Sequence, residues 1–115
     1  MRAYERFLKY ARINTESAEG TGTSPSTARQ WDLAHVLMDE LKELGLQDVK
    51  ASEFGVVTAV LPATPGYENA PALGLLAHMD TAPAFSGANV EPILHENYDG
   101  NDIVLPKEGR VISVA

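Results

Sequence analysis

Ala72-Leu73-Gly74-Leu75-Leu76-Ala77-His78-Met79-Asp80-Thr81 opens with six apolar or small residues and closes on an imidazole, a carboxylate and a hydroxyl. An unbroken apolar run of this length reads as a strand buried on both faces, the signature of a parallel or mixed sheet. If the strand continues through the polar residues, the two-residue period puts His78 and Asp80 on one face, about 7 Å apart at the base. In open α/β sheets ligands bind just beyond the carboxyl ends of strands. An imidazole and a carboxylate at that place can act as a zinc ligand with its orienting group, or as an acid-base pair. The pattern His-x-Asp is too short to choose between them.

Upstream, the sequence predicts an α/β order. Tyr4, Phe7, Leu8 and Ala11 recur at helical spacing, predicting a short helix over residues 3–11 with one buried face. Residues 14–26, rich in Thr, Ser and Gly, read as a loop. Pro25 and the pattern Thr27-Ala28-Arg29-Gln30, a capping-box candidate, announce a second helix. Its apolar set is Trp31, Ala34, Met38 and Leu41, widened by Val36, Leu37 and Leu44, and Gly45 is placed to cap it. Val49 and Ala51, then Val56 to Leu61, are short strand-like runs separated by Phe54-Gly55, which predicts a hairpin. Pro62, Pro65 and Gly66 make residues 62–70 an exposed connection.

Downstream, turn signals at Ser86-Gly87, Asp99-Gly100 and Glu108-Gly109 bracket three candidate strands, Glu91 to Glu96, Ile103 to Leu105 and Val111 to Val114. Val111 to Ala115 lacks a closing turn and reads as an element cut off in progress, so the expectation is a truncated domain. A sheet cut in this way leaves a free edge, and self-association of two copies through it is expected.

Composition narrows the function. With 44% hydrophobic and 22% charged residues the 115-residue chain is ordinary globular material for one core. Sixteen acidic against nine basic residues, net -7, repel phosphate backbones and anionic lipid, so neither nucleic acid nor membrane is an expected partner. The absence of cysteine excludes disulfides and thiolate metal sites, leaving His, Asp and Glu as ligands. The charged, amphipathic start is no secretory signal, and no run reaches the roughly 18 apolar residues of a spanning helix. A cytoplasmic location is the expectation. His35 reads as a helix-surface residue and His95 as a loop or strand residue. A nucleophile elbow, a phosphate-binding glycine loop and a His-Glu-x-x-His helix are all absent.

Several segments together are more specific than the central motif. Leu75-Leu76-Ala77-His78-Met79-Asp80-Thr81 resembles the first motif of the M20 family of zinc peptidases and deacylases, where a strand ends in His-x-Asp-Thr. Tyr4 to Tyr10, Pro25-Ser26-Thr27 with Gln30-Trp31, Glu40 to Leu46, and Phe85 to Val90 with Glu96-Asn97-Tyr98 resemble that family's tripeptide aminopeptidase branch, in order along nearly the whole chain. Where the branch commonly carries Ser after the motif, this chain has Ala82. The resemblance implies that residues 1–115 are the N-terminal segment of a three-layer αβα catalytic domain, a mixed sheet with flanking helices. It implies two zinc ions per complete site, His78 a ligand to one, Asp80 the catalytic-site carboxylate that orients it, and tripeptides as substrates. The family's remaining ligands, its Glu base and its lid domain are expected beyond Ala115, so the chain alone is expected to be inactive. The alternatives are another hydrolase of the family, a deacylase or dipeptidase, and a free-standing non-catalytic α/β module for binding or assembly.

Overall fold

The computed structural model describes residues 1–114; Ala115, the last residue of the run read as cut off, lies outside them. The order is α1 (Ala3–Tyr10), α2 (Gln30–Glu43), β1 (Gln47–Ala51), β2 (Val57–Val60), β3 (Ile103–Val104) and β4 (Val111–Ile112). Among the described residues the architecture is mixed α/β, with two helices and two small antiparallel sheets.

The first sheet is the hairpin the period change predicts. β1 and β2 pair antiparallel with Gln47 opposite Val60 and Ala51 opposite Val57. An irregularity between Gln47 and Lys50 gives β1 one extra residue, and Asp48 takes it up at φ 51°, a left-handed conformation that Asp tolerates better than branched residues. Helix α2 packs on this hairpin, delivered there by the chain reversal at its C-terminus. The Leu46 N–H donates to the Leu41 carbonyl at 3.0 Å and the Gly45 N–H to Lys42 at 2.9 Å. With Gly45 at φ 82°, this is a Schellman motif, and it places the predicted glycine cap one residue past Leu44.

The α2 start differs from expectation. The helix begins at Gln30, Arg29 gives no side-chain cap, and Pro25 lies in the preceding bends. The Thr27 hydroxyl donates to the Glu16 carbonyl at 2.8 Å, and the Gln30 side-chain amide donates to Ser26 and Thr27 hydroxyls. The capping-box residues are thus engaged in holding the preceding loop.

Helix α1 forms where predicted, but without the predicted buried face: none of its residues is buried. It is held by charge. Lys9 Nζ donates to Glu40 Oε1 at 2.6 Å, and Arg6 Nη1 and the Tyr10 hydroxyl both donate to Glu40 Oε2. These donors share one helical face, being spaced by three and four residues. Their target on α2 is nearly enclosed, and they hold its carboxyl down at about 2, with Lys9 the largest cause, then Tyr10, then Arg6.

The predicted central strand is not formed. Residues 72–77 have no secondary structure, and Leu73, Leu75 and Leu76 are 84%, 89% and 96% exposed. A strand needs backbone partners, and none of the four strands pairs with this run. The predicted strand at residues 91–96 is likewise irregular, whereas β3 and β4 fall within the other two candidates and pair with each other, Ile103 opposite Ile112.

The core is accordingly small. Among the described residues the buried apolar side chains are Leu33 and Ala34, both on α2. The radius of gyration is 17.8 Å, against about 13 Å for a compact domain of this length. The accessible surface is 9120 Å², against roughly 6,100 Å² for a folded protein of this mass. The surplus is about 3,000 Å².

Candidate metal-ligand site

Although residues 72–77 lack partners, the motif that follows them is tied down. Glu16 and Thr81 form an isolated parallel bridge, in which the Thr81 N–H donates to the Thr15 carbonyl at 3.2 Å and the Ser17 N–H donates to the Thr81 carbonyl at 2.9 Å. The Ser17 hydroxyl donates to the same Thr81 oxygen at 3.0 Å. Thr15 is buried, whereas Thr81 on the other side of the pairing is exposed.

A second tie runs through Glu16. Its Oε2 accepts the Gly87 N–H at 2.9 Å, and Arg29 Nη1 lies 3.9 Å from the same oxygen. A side chain at Gly87 would meet Asn14 Oδ1 at 2.8 Å and Thr81 Oγ1 at 3.2 Å, so glycine is what allows the 81–90 loop to close on this segment. Thr15, Glu16 and Ser17 are the positioning residues the sequence did not single out, because the stretch 14–26 carries no periodicity to show them; Gly87 was marked only as part of the Ser86-Gly87 turn signal and the family-like Phe85 to Val90.

Within this frame His78 Nδ1 lies 3.1 Å from Asp80 Oδ1. The side chains are therefore on the same side of the chain, as strand spacing predicts, though the residues before them are unpaired. With the proton on Nδ1 donated to Asp80, the Nε2 lone pair is free to bind a metal. The His78 side chain is 84% exposed and Asp80 40%, which leaves that nitrogen accessible.

Both residues sit on the rim of a cleft of about 360 Å³, walled by Phe7 and Ala11 near α1, Leu33 and Leu37 of α2, and Val90. His35 is exposed, its ring 5.9 Å from Trp31, and His95 is exposed in an irregular segment; neither approaches the pair in the cleft lining. No group of three or more His, Asp or Glu that could hold a metal ion occurs among the described residues. The donor chemistry of His78 and Asp80 fits one ligand and its orienting carboxylate, and no more than that.

No family model matches the chain. Three relatives share the name "Peptidase T". The chain is 53% identical over 108 residues to "Peptidase T" of Geobacillus kaustophilus, covering 94% of this chain and 26% of that relative. It is 52% identical over 101 residues to the protein of that name from Geobacillus sp. strain WCH70 (88% and 24%), and 49% over 108 residues to that of Listeria welshimeri (94% and 26%). Over nearly its whole length this chain is thus a homologue of peptidase T, and it spans about a quarter of the length of those curated relatives. No helix among the described residues is long and apolar enough to cross a membrane.

Proposed function

We propose that this chain is the part of a zinc-dependent aminopeptidase that carries one metal ligand, His78, and the carboxylate that orients it, Asp80. The observation carrying the reading is the 3.1 Å contact between His78 Nδ1 and Asp80 Oδ1, the pairing by which a carboxylate fixes a ligating imidazole's tautomer and raises its basicity. The resemblance of residues 75–81 to the zinc-peptidase motif supports it, as does homology to proteins named for peptidase activity. The complete protein is then a cytoplasmic dinuclear zinc enzyme that releases the N-terminal residue of tripeptides. Residues 1–115 belong to its three-layer αβα catalytic domain. The metal, when bound, supplies Lewis acidity and a water acidic enough to ionise near neutral pH. This chain's share is to present Nε2, hold the proton on Nδ1 and anchor the motif through Thr81. A catalytic zinc site takes about three protein ligands, so the chain alone does not turn over peptide, and it covers its free edge only weakly, with a second copy.

The test joins this chain to the remaining three quarters of the Geobacillus kaustophilus relative and assays tripeptide cleavage with zinc. Turnover by the joined chain, its loss in His78→Ala and none in the isolated chain are expected. A joined chain that cleaves tripeptides equally well with His78→Ala sinks the assignment.

A further inference from the structure

Three donors of α1 meet at one carboxylate of α2. Among the described residues the hydrogen bonds between the two helices are those of Arg6, Lys9 and Tyr10 to Glu40, and no residue of α1 is buried. The place of α1 is therefore set largely by the grip of Glu40. That residue is buried on a helix braced by the β1–β2 hairpin, so it is the fixed end of the contact.

The far end of α1 leads to the site. The Ala11 N–H donates to the Phe7 carbonyl at 2.9 Å, the Arg12 N–H to Lys9 at 3.3 Å and the Ile13 N–H to Tyr10 at 2.9 Å. Two residues on, the Thr15 carbonyl accepts the Thr81 N–H at 3.2 Å. Of the few residues between Tyr10, gripped by Glu40, and Thr15, most are bonded back onto α1. A segment wound in this way passes on a displacement that a slack loop would absorb. Tyr10, Ala11, Ile13 and Thr15 also line the same cleft as His78 and Asp80.

We propose that Glu40 is a positioning residue for the metal-ligand motif: by gripping α1 it sets, through Thr15, where Thr81 and with it His78 and Asp80 stand. A second support comes from the other side, where the Thr27 hydroxyl donates to the Glu16 carbonyl at 2.8 Å and the Ala18 N–H to the Ser26 hydroxyl at 3.1 Å. Those bonds hold the segment after Thr15 and leave its approach to α1 and Glu40. The meaning of the motif rests on the metal-ligand reading above, but its coupling to Glu40 does not, so the test needs no zinc.

Arg6→Gln, Lys9→Gln and Tyr10→Phe together remove the three donors and alter no buried residue. Nuclear magnetic resonance of this chain at one pH compares the variant with the parent. Amide exchange at Thr81 is expected to quicken at least about tenfold, and the His78 ring nitrogen shifts are expected to move as the ring leaves Asp80. The Ser52 N–H, bonded to the Val56 carbonyl at 2.9 Å in the hairpin, is expected to exchange as before. Arg6→Lys with Lys9→Arg keeps two cationic donors and is expected to hold Thr81 at the parent rate. Tyr10→Phe alone, which keeps the ring, is expected to quicken Thr81 about threefold. Parent-like Thr81 exchange and His78 shifts in the triple variant overturn the proposal, since Ser26 and Thr27 then hold the motif unaided. Equal quickening at Thr81 and Ser52 in both the triple and the Tyr10→Phe variants also overturns it, making Glu40 a residue of general stability. Selective changes at Thr81 and His78 support the coupling even if the joined chain described above cleaves no tripeptide, so the two readings fail separately.

Discussion

Glu40 receives hydrogen bonds from Lys9, Tyr10 and Arg6, and its carboxyl is held at about 2 instead of the ordinary 4.5. Because the folded pKa is lowered, the folded state binds fewer protons than the unfolded state between these values, and stability rises with pH there. The contribution is complete above about pH 5 and is lost as pH falls toward about 2. Glu40→Gln is expected to cost about 1–3 kcal/mol near pH 7 and to flatten the acid limb of the stability curve, which urea titrations at several pH values measure; a variant as acid-sensitive as the parent contradicts this. Asp80 offers a second test at the same scale, needing no metal. Asp80→Ala removes the acceptor 3.1 Å from His78 Nδ1 and is expected to shift the proton from Nδ1 toward Nε2, seen in the ring nitrogen chemical shifts. An unchanged tautomer means that Asp80 does not orient the ring.

Among the elements, the α2 terminus depends most on one conformation. Gly45 sits at φ 82° and anchors the reversal into β1, so Gly45→Ala is expected to cost about 1 kcal/mol or more, read as a lower urea midpoint, with the helix intact by circular dichroism. This cap was legible in the sequence because glycine after a periodic run has one common reading. The β1–β2 hairpin was legible for a similar reason, with alternating Val and Ala around Phe54-Gly55. His78 and Asp80 lie side by side as the two-residue spacing anticipates, although no strand forms at these residues. What could not be read depends on distant partners. Residues 72–77 carry a strand's composition, but composition supplies no neighbour to bond with. Helix α1 carries an apolar stripe, yet its docking is decided by Glu40, about thirty residues away. Thr15 to Ser17 look like loop because their hydrogen-bonding partner is Thr81.

For the whole molecule, the exposed surface predicts how it unfolds. A chain of this mass exposes roughly 18,000 Å² when unfolded, so from 9120 Å² it gains about three quarters of what a compact domain gains. The urea m-value scales with that gain, and about three quarters of the value for a compact 115-residue protein is expected. A full-sized m-value shows that the apolar run is covered in solution.

The Glu16–Thr81 bridge bears on the order in which the molecule assembles. Helix α2 and the β1–β2 hairpin close contacts between near neighbours, whereas Ser17 and Thr81 meet across 64 positions. Closing so long a loop is an entropic step that comes after local contacts have formed. During synthesis and refolding the helices and hairpin therefore exist first, and the backbone carrying His78 and Asp80 is fastened last.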